Sequence, residues 1–394
     1  MRKVRKYKKI FTQGYKLLKY IYYLIYSYIF KEKISIYKNV WLISERGVDA
    51  RDNGYFFYKY LVKNHPDIDV RYIISRDSPD FNKIKKLGKY IIYGSSEHYK
   101  AFINSKLLIS SHMMGFSPDM GLFMRLQRYN LLKLKGKLIW LQHGVTKDRL
   151  PYLDYKKNNL SLFITASPIE RDFIIKEFKY NKNIVKYTGF SRFDDLKKVK
   201  SNRILFMPTH RIYIHNMSDK EFMKINYYRH INSLINNKEL IELLDYNNLT
   251  FILYVHFELQ KYSHLFKSIS KRIIVAYIDE YDVQELLINS CLLITDYSSV
   301  FFDYVYMEKP VIYYQFDYDE YRLGHYKEGY FNYIKDGFGP VVKMEDDVIK
   351  NIKLNVDNNF IIDNKTKKKI DKYLPIRDKN NCKRIYEEIK KLEE

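Results

Sequence analysis

The stretch that decides the fold is Leu292-Leu293-Ile294-Thr295-Asp296-Tyr297-Ser298-Ser299-Val300-Phe301-Phe302-Asp303, followed by Lys309-Pro310 and a second apolar run. An apolar strand leads here into a polar turn, a helix and another strand, which is the repeating unit of a parallel α/β sheet. Ser298 and Ser299 stand where the helix begins, so their hydroxyls and the free backbone N–H groups predict an anion site. The alternative is that Asp296 or Ser298 only caps the helix.

The same alternation of short apolar runs and helical stretches extends over most of the chain. In the first half the predicted strands are Val40–Ser44, Val70–Ser75, Tyr90–Tyr93, Leu107–Ser111, Lys137–Leu141 and Leu162–Ala166. In the second half they are Arg203–Met207, Thr250–Val255, Arg272–Val275, Cys291–Thr295 and Pro310–Tyr314. Strands that alternate with helices predict doubly wound, Rossmann-like sheets, whose ligands lie at the carboxyl ends of the strands.

The length of 394 residues suits two domains of ordinary size. A charged, apolar-poor stretch, Lys197–Asn202, interrupts the alternation and is the predicted linker. We therefore predict one domain over 39–196 and another over 203–378, facing each other across a cleft, with a C-terminal helix over 379–394.

Polar groups follow several of these strands. Gln142-His143-Gly144 comes after Lys137–Leu141, and the glycine predicts a sharp turn that leaves His143 exposed as a general base with a pKa near neutrality. A single histidine that is hydrogen-bonded within its loop is the commoner alternative. Thr209 and Arg211 follow the first strand of the second domain, where they suit phosphate binding. His256 follows the next strand.

The N-terminal segment, 1–38, predicts a basic amphipathic helix. Residues 1–30 contain eight Lys or Arg and no acidic residue, and the apolar run Tyr20–Phe30 is shorter than the about 20 residues that cross a bilayer. This pattern predicts a helix lying in an anionic membrane interface, although packing against the protein body is the alternative. The predicted apolar face consists of Ile10, Leu17, Ile21, Leu24 and Tyr28, with Lys8, Lys9, Lys16 and Lys19 pointing elsewhere.

The amino-acid composition restricts the classes of molecule that this protein is expected to bind. The chain has 69 Lys and Arg against 46 Asp and Glu, and the net charge of +23 favours an anionic partner or surface. No helix-turn-helix, zinc-finger or RNP-like signature is present, so a nucleic-acid partner is not expected.

The pair Asp317 and Asp319 resembles the metal-binding Asp-x-Asp of glycosyltransferases with a different fold. No other acidic residues are clustered with this pair, so neither a metal nor a cofactor is expected.

Taken together, these motifs resemble the CDP-glycerol glycerophosphotransferase family, which includes teichoic acid primases, polymerases and related capsule enzymes. The resemblance covers about residues 40–345. Its motifs are Ser44-Glu45-Arg46, Asp52-Asn53-Gly54, Gln142-His143-Gly144, Gly189 with Arg192 and Asp194, Pro208-Thr209-His210-Arg211, Ile294-Thr295-Asp296-Tyr297-Ser298-Ser299 with Asp303, and Lys309-Pro310. The chain departs from the family at Phe257, where proline is usual, at His210, where an aromatic residue is usual, and at Ser191, where proline is frequent.

The resemblance implies a GT-B fold and transfer of glycerol phosphate or ribitol phosphate from a CDP-polyol to a hydroxyl of a membrane-linked teichoic acid or capsule-type acceptor, with release of CMP. His143 would be the base. The diphosphate would be held by His256, Thr209, Arg211, Ser298 and Ser299. Asp296 and Asp303 would orient these groups or bind the ribose, and Asp52, Asn53 and Gln142 would lie on the acceptor side.

The implied location is the cytoplasmic face of the membrane, as a peripheral protein. The alternative function is that of a GT-B glycosyltransferase that uses a nucleotide-sugar in cell-surface polysaccharide synthesis, because a fold alone does not define a donor.

Overall fold

The computed structural model describes residues 2–113, 115–129, 131, 134–214, 216–324 and 326–393, excluding the side chains of residues 2–13 and of Arg128. Its core is two parallel sheets, one on each side of the predicted linker. Their strands are buried on both faces, which explains why they read in the sequence as nearly continuous apolar runs. The predicted doubly wound α/β architecture is confirmed.

The first sheet has seven strands in the order β3-β2-β1-β4-β5-β6-β7, all parallel. These strands are β1 (Trp41–Ser44), β2 (Val70–Ile74), β3 (Tyr90–Ile92), β4 (Leu107–Ser110), β5 (Lys137–Trp140), β6 (Leu162–Thr165) and β7 (Val185–Tyr187). The helices of this half are α1 (Arg2–Ile29), α2 (Lys31–Ile34), α3 (Asn53–Asn64), α4 (Phe81–Leu87), α5 (Ser96–Asn104), α6 (Met120–Arg128) and α7 (Pro168–Phe178).

The second sheet has six parallel strands in the order β10-β9-β8-β11-β12-β13. These strands are β8 (Arg203–Met207), β9 (Thr250–Leu253), β10 (Ile273–Val275), β11 (Leu292–Thr295), β12 (Val311–Tyr314) and β13 (Val341–Val342). The helices are α8 (Asp219–Phe222), α9 (Asn226–Leu234), α10 (Lys238–Tyr246), α11 (Val283–Ile288), α12 (Phe301–Tyr306), α13 (Tyr318–Gly324), α14 (Tyr333–Asp336), α15 (Glu345–Asp357), α16 (Asn364–Tyr373) and α17 (Asn381–Lys390).

Every strand predicted from the sequence is present, with ends shifted by at most two residues. The sequence missed β7 and β13, which are short strands at the edges of their sheets. Such strands carry too few apolar residues to stand out from loops.

Strand order reverses between β1 and β4 in the first sheet and between β8 and β11 in the second. In open α/β sheets these reversals open crevices at the carboxyl ends of the strands, where ligands bind.

The C-terminal helix α17 packs against the first domain. Asp194 accepts hydrogen bonds from the backbone N–H groups of Asn381 and Cys382, and the ring of Tyr386 stacks on His65 at 3.7 Å.

Helix α1 has two different faces. Tyr20 and Tyr23 are buried against Tyr99 in the core of the first domain. Other apolar side chains are largely exposed, with Leu18 at 65% and Ile25 at 54%. The helix therefore packs on the protein body and also presents an apolar surface. Of the predicted helix positions, Ile10 of the apolar face and Lys8 and Lys9 outside it have side chains that the structure does not describe. Among the described residues, no helix is both long and apolar enough to span a bilayer.

Candidate active site

The two domains meet where the strongest motif of each is located. A Cβ atom placed on Gly144, beyond the end of β5, would lie 2.6 Å from the Oγ atom of Ser299, beyond the end of β11. The backbone at Gly144 therefore lies directly against the Ser299 side chain. The segment His143-Gly144 and the segment Ser298-Ser299 therefore face each other across the interdomain cleft.

The sharp turn before His143 is made by Gln142 rather than by Gly144. Gln142 has a φ angle of 60°, in the left-handed region, and is fully buried. Its amide nitrogen donates to the carbonyl of Ile164 at 2.7 Å and to Glu170 at 3.1 Å, and its amide oxygen accepts from Thr146. The prediction that Gly144 makes the turn is wrong, because the left-handed φ angle lies at Gln142 and not at Gly144.

His143 is exposed at the surface of the cleft. Among the described residues, neither of its ring nitrogens has a hydrogen-bond partner, so both are accessible to a substrate. Desolvation by the cleft walls, followed by the positive charges of Arg192 and Arg46, lowers the pKa of His143 to about 4. The sequence predicted a pKa near neutrality. The difference arises first from desolvation in the folded cleft and then from two arginines that are distant in sequence. It leaves the imidazole neutral, as a base requires.

His112 is a site residue that the sequence analysis missed. It follows β4, and its half-buried ring stacks on that of His143 with a centroid distance of 4.9 Å and an interplanar angle of 15°. The sequence contained a signal for it, since Ser111-His112 follows β4 much as Gln142-His143 follows β5. His112 fixes the plane of the His143 ring by stacking, and among the described residues no carboxylate does so by a hydrogen bond.

A second stacked pair lies in the other domain. His256 stacks on His210 at 4.5 Å, so His210 supplies a flat ring where the family usually has an aromatic residue. The Nδ1 atom of His256 accepts the backbone N–H of Glu258 at 3.3 Å. Because a backbone N–H can only donate, neutral His256 carries its proton on Nε2. That N–H is the type of donor that a phosphate oxygen requires.

Ser298 and Ser299 precede helix α12, which begins at Phe301. The hydroxyl of Ser298 accepts the backbone N–H of Val300 at 3.3 Å, so it takes part in the helix start. Within the described part of the chain, the backbone N–H groups of Ser298 and Ser299 and the hydroxyl of Ser299 have no partner. The predicted anion site therefore has donors available on the cleft side of the turn.

Arg211 has a different environment from the one predicted. Its guanidinium is 1% exposed, and it donates to Asp296, to both carboxylate oxygens of Asp317 and to the carbonyl of Thr209. Aromatic rings surround it, namely Tyr227, Tyr297, Phe316 and Tyr321. Asp296 also accepts from the backbone N–H and the hydroxyl of Thr209. This geometry favours a structural role for Arg211 and Asp296, and the predicted diphosphate contact of Arg211 stays a prediction.

Arg192 links the two domains. It donates to both oxygens of Asp303 in the second domain, and to Asp52 at 2.7 Å and the carbonyl of His143 at 3.0 Å in the first. Desolvation raises the pKa of Asp52 to about 6, although Arg192 opposes this rise. Of the two roles considered for Asp303, orienting neighbouring groups and binding ribose, this contact favours the first.

Two residues predicted on the acceptor side are buried inside the first domain. Asn53 is fully buried and donates to the carbonyl of Gln142 at 2.7 Å, while its side-chain oxygen accepts from Ser191 and from the backbone of Arg192. Gln142 is also fully buried. Both residues position the His143 loop, and of the predicted acceptor-side set only Asp52 retains some exposure.

Metal ligation has little support in the described residues. No three His, Cys, Asp or Glu side chains lie close enough there to hold an ion. Asp317 is occupied by Arg211 and by the hydroxyl of Tyr297, whereas Asp319 is exposed on the first turn of α13. The two aspartates therefore do not converge.

Comparison with known proteins bears on this site. The model of the CDP-glycerol:poly(glycerophosphate) glycerophosphotransferase family matches residues 25–391. GgaB, a minor teichoic acid biosynthesis protein of Bacillus subtilis, is 32% identical over 371 residues, which are 90% of this chain and 40% of that protein. A teichoic acid poly(glycerol phosphate) polymerase of Staphylococcus epidermidis is 25% identical over 328 residues, or 75% of this chain and 42% of that one. The chain thus spans less than half the length of these two relatives.

Solved structures agree on the fold. The wall teichoic acid polymerase TagF superposes with a TM-score of 0.71 and 19% identity, over 99% of both chains. A UDP complex of Staphylococcus aureus MnaA superposes with a TM-score of 0.55 and 13% identity, over 90% of this chain and 96% of that one. With a family match over nearly the whole chain and the family motifs gathered at one cleft, this chain belongs to the CDP-glycerol:poly(glycerophosphate) glycerophosphotransferase family.

Proposed function

We propose that this protein transfers glycerol phosphate or ribitol phosphate from a CDP-polyol to a hydroxyl of a membrane-linked, teichoic acid or capsule-type acceptor, and releases CMP. The observation that carries the proposal is the approach of Gly144 to Ser299 across the cleft. It brings a neutral histidine beside a turn with open N–H and hydroxyl donors, which suit a base and a set of charge-stabilising donors for phosphoryl transfer.

In the proposed reaction His143 accepts the proton of the acceptor hydroxyl. The hydroxyl oxygen forms a bond to the β-phosphorus of the donor, the bond from that phosphorus to the bridging oxygen breaks, and CMP leaves with the electron pair. The donors at Ser298 and Ser299 and the Nε2–H of His256 stabilise the negative charge on the leaving phosphate. Because phosphoryl transfer requires little covalent chemistry from the protein, positioning and charge account for most of the catalysis.

A donor screen tests the proposal. The purified protein is incubated with a lipid-linked glycerol phosphate acceptor and with CDP-glycerol, CDP-ribitol or a panel of UDP-sugars, and released nucleotide is measured. We expect CMP from at least one CDP-polyol and no UDP from any sugar nucleotide. Release of UDP with no CMP would instead identify a nucleotide-sugar glycosyltransferase.

We also propose that the protein binds the cytoplasmic face of the membrane as a peripheral protein. The exposed apolar surface of α1, formed by Leu18, Ile21, Tyr22 and Ile25, supports this proposal, as do the exposed side chains of Met120 and Met124 on the neighbouring helix α6. Large exposed apolar patches mark sites of membrane or protein contact. Basic residues close to such a surface add attraction to anionic lipid, at about 1 kcal/mol each.

Substituting exposed residues of α1 is expected to release the protein from membranes. We expect the triple variant Leu18→Glu, Tyr22→Glu, Ile25→Glu to lose cosedimentation with phosphatidylglycerol vesicles while keeping its thermal unfolding midpoint, because these side chains are exposed. Deleting α1 would be a poorer test, because it removes the buried Tyr20 and Tyr23. The control is Tyr246→Glu with Ile269→Glu, two exposed apolar positions in the second domain. Equal binding by the triple variant and the control would refute membrane docking through α1.

A further inference from the structure

A diphosphate attracts positive charge, and the two most buried arginines near the cleft already have carboxylate partners. Arg211 is paired with two carboxylates, and so is Arg192. Each of these groups is neutralised by its own partners before any substrate binds. Enzymes that transfer phosphoryl groups place cations beside the transferred group, where charge develops. An arginine with a nitrogen that no acceptor occupies is better placed to contact this group.

Arg46 has the required geometry. It follows β1 at the carboxyl edge of the first sheet, and its Nε and Nη2 atoms donate to Asp49. Among the described residues, its Nη1 atom has no acceptor, and the side chain is 30% exposed. Asp49 thus holds two nitrogens of the guanidinium and leaves the third available to a ligand.

The position of Arg46 joins both halves of the site. Its guanidinium carbon lies 4.3 Å from the centre of the Phe257 ring, and Phe257 directly follows His256 in the second domain. On the other side, its charge is close enough to lower the pKa of both His112 and His143, after the effect of desolvation. The charged groups that act on Arg46 itself are Asp49, Glu45 and Asp52, which keep it protonated. Arg46 therefore contacts the residue that follows His256 and carries a charge that acts on His143.

We infer that Arg46 is a catalytic residue of the transfer proposed above, and that its Nη1 donates to a non-bridging oxygen of the phosphoryl group that is transferred. Arg46 stays protonated throughout, while the acceptor proton goes to His143. Stacking of Arg46 on Phe257 holds the His256 loop against the first domain, which gives a physical role to a residue that stands where the family usually has proline. This inference rests on the proposed function.

Ligand binding and turnover of Arg46→Gln test it. We expect about tenfold weaker binding of CDP by calorimetry, because a charge-assisted hydrogen bond to the β-phosphate is lost, and unchanged binding of CMP, which lacks that phosphate. Turnover of the CDP-polyol should fall about 10²-fold. Arg46→Lys should show a smaller loss in both, because it keeps the charge but not the planar fork.

Arg51→Gln is the matched control. Arg51 also follows β1, pairs with Asp80 and reaches the second domain through the carbonyl of Ile278 at 3.0 Å. We expect it to bind CDP and CMP as the wild type does. If the wild type releases CMP and Arg46→Gln nevertheless binds CDP normally, or loses CDP and CMP equally, the role of Arg46 is refuted. If the wild type releases no CMP from either CDP-polyol, the proposed function itself fails.

Discussion

Replacing His143 with alanine is expected to lower turnover by about 10²–10⁴-fold and to leave the affinity for the CDP-polyol unchanged. The ring is exposed in the cleft, its nitrogens have no partner among the described residues, and its pKa is lowered to about 4. It is therefore neutral and able to accept a proton at every physiological pH. Removing it deletes the proposed base but leaves the proposed donor-binding turn in the other domain intact.

The pH dependence of the rate gives an independent test of His143. A base works when it is deprotonated, so kcat/KM should be flat near neutrality and should fall only as the pH drops through the pKa of about 4. Bound diphosphate adds negative charge beside the ring and raises that pKa, so the acidic limb of kcat should lie at higher pH than that of kcat/KM. Both limbs should vanish in the alanine variant.

Two further histidine variants serve as controls. His256→Ala should lower turnover and also weaken donor binding, because it removes the proposed contact to the diphosphate. His264→Ala should change neither, since His264 is exposed and pairs with Asp219 at 3.1 Å.

An Arg46→Gln variant should shift the acidic limb of kcat/KM to higher pH, because the charge that disfavours protonation of His143 is lost. An active His143→Ala enzyme with its acidic limb intact would exclude His143 as the base.

The second large effect is expected at Arg211, where alanine should destabilise the protein by about 3–5 kcal/mol. The substitution leaves Asp296 and Asp317 buried without their common cation, and it removes a side chain packed among four aromatic rings. Urea unfolding followed by circular dichroism measures the loss. Arg272→Ala is the control, because its pair with Asp245 is exposed and should be worth about 0.5 kcal/mol or less.

Ser299→Ala separates binding from stability in the same region. It should weaken CDP binding with little change in the unfolding midpoint, since the hydroxyl has no partner in the described part of the chain. If Arg211→Ala instead unfolded at the wild-type urea concentration and bound CDP poorly, Arg211 would be a diphosphate ligand, as the sequence predicted. The two variants therefore distinguish a structural arginine from a substrate-binding one.

The ends of the strands could be predicted from the sequence because a buried parallel strand is a continuous run of apolar residues. The polar residues that follow such a run mark the carboxyl end of the strand. The runs before Gln142, Pro208 and Asp296 are of this kind. His112 was missed for lack of a family motif around it, although the same rule applied to β4 would have found it. The left-handed backbone conformation of Gln142 was not predicted, because the nearby Gly144 is a more usual residue for a sharp turn.

What the sequence by itself determined is therefore local: most of the strands and helices, their grouping into two parallel sheets, and the polar residues that follow the strands. Only the tertiary structure decided which of these polar groups are available to a substrate. Arg192 meets Asp303 across 111 residues, and Arg211 meets Asp317 across 106. Hydrophobic periodicity can be recognised within about ten neighbouring residues of the sequence. The neutralisation of a charged side chain depends instead on partners that only folding brings within hydrogen-bonding distance.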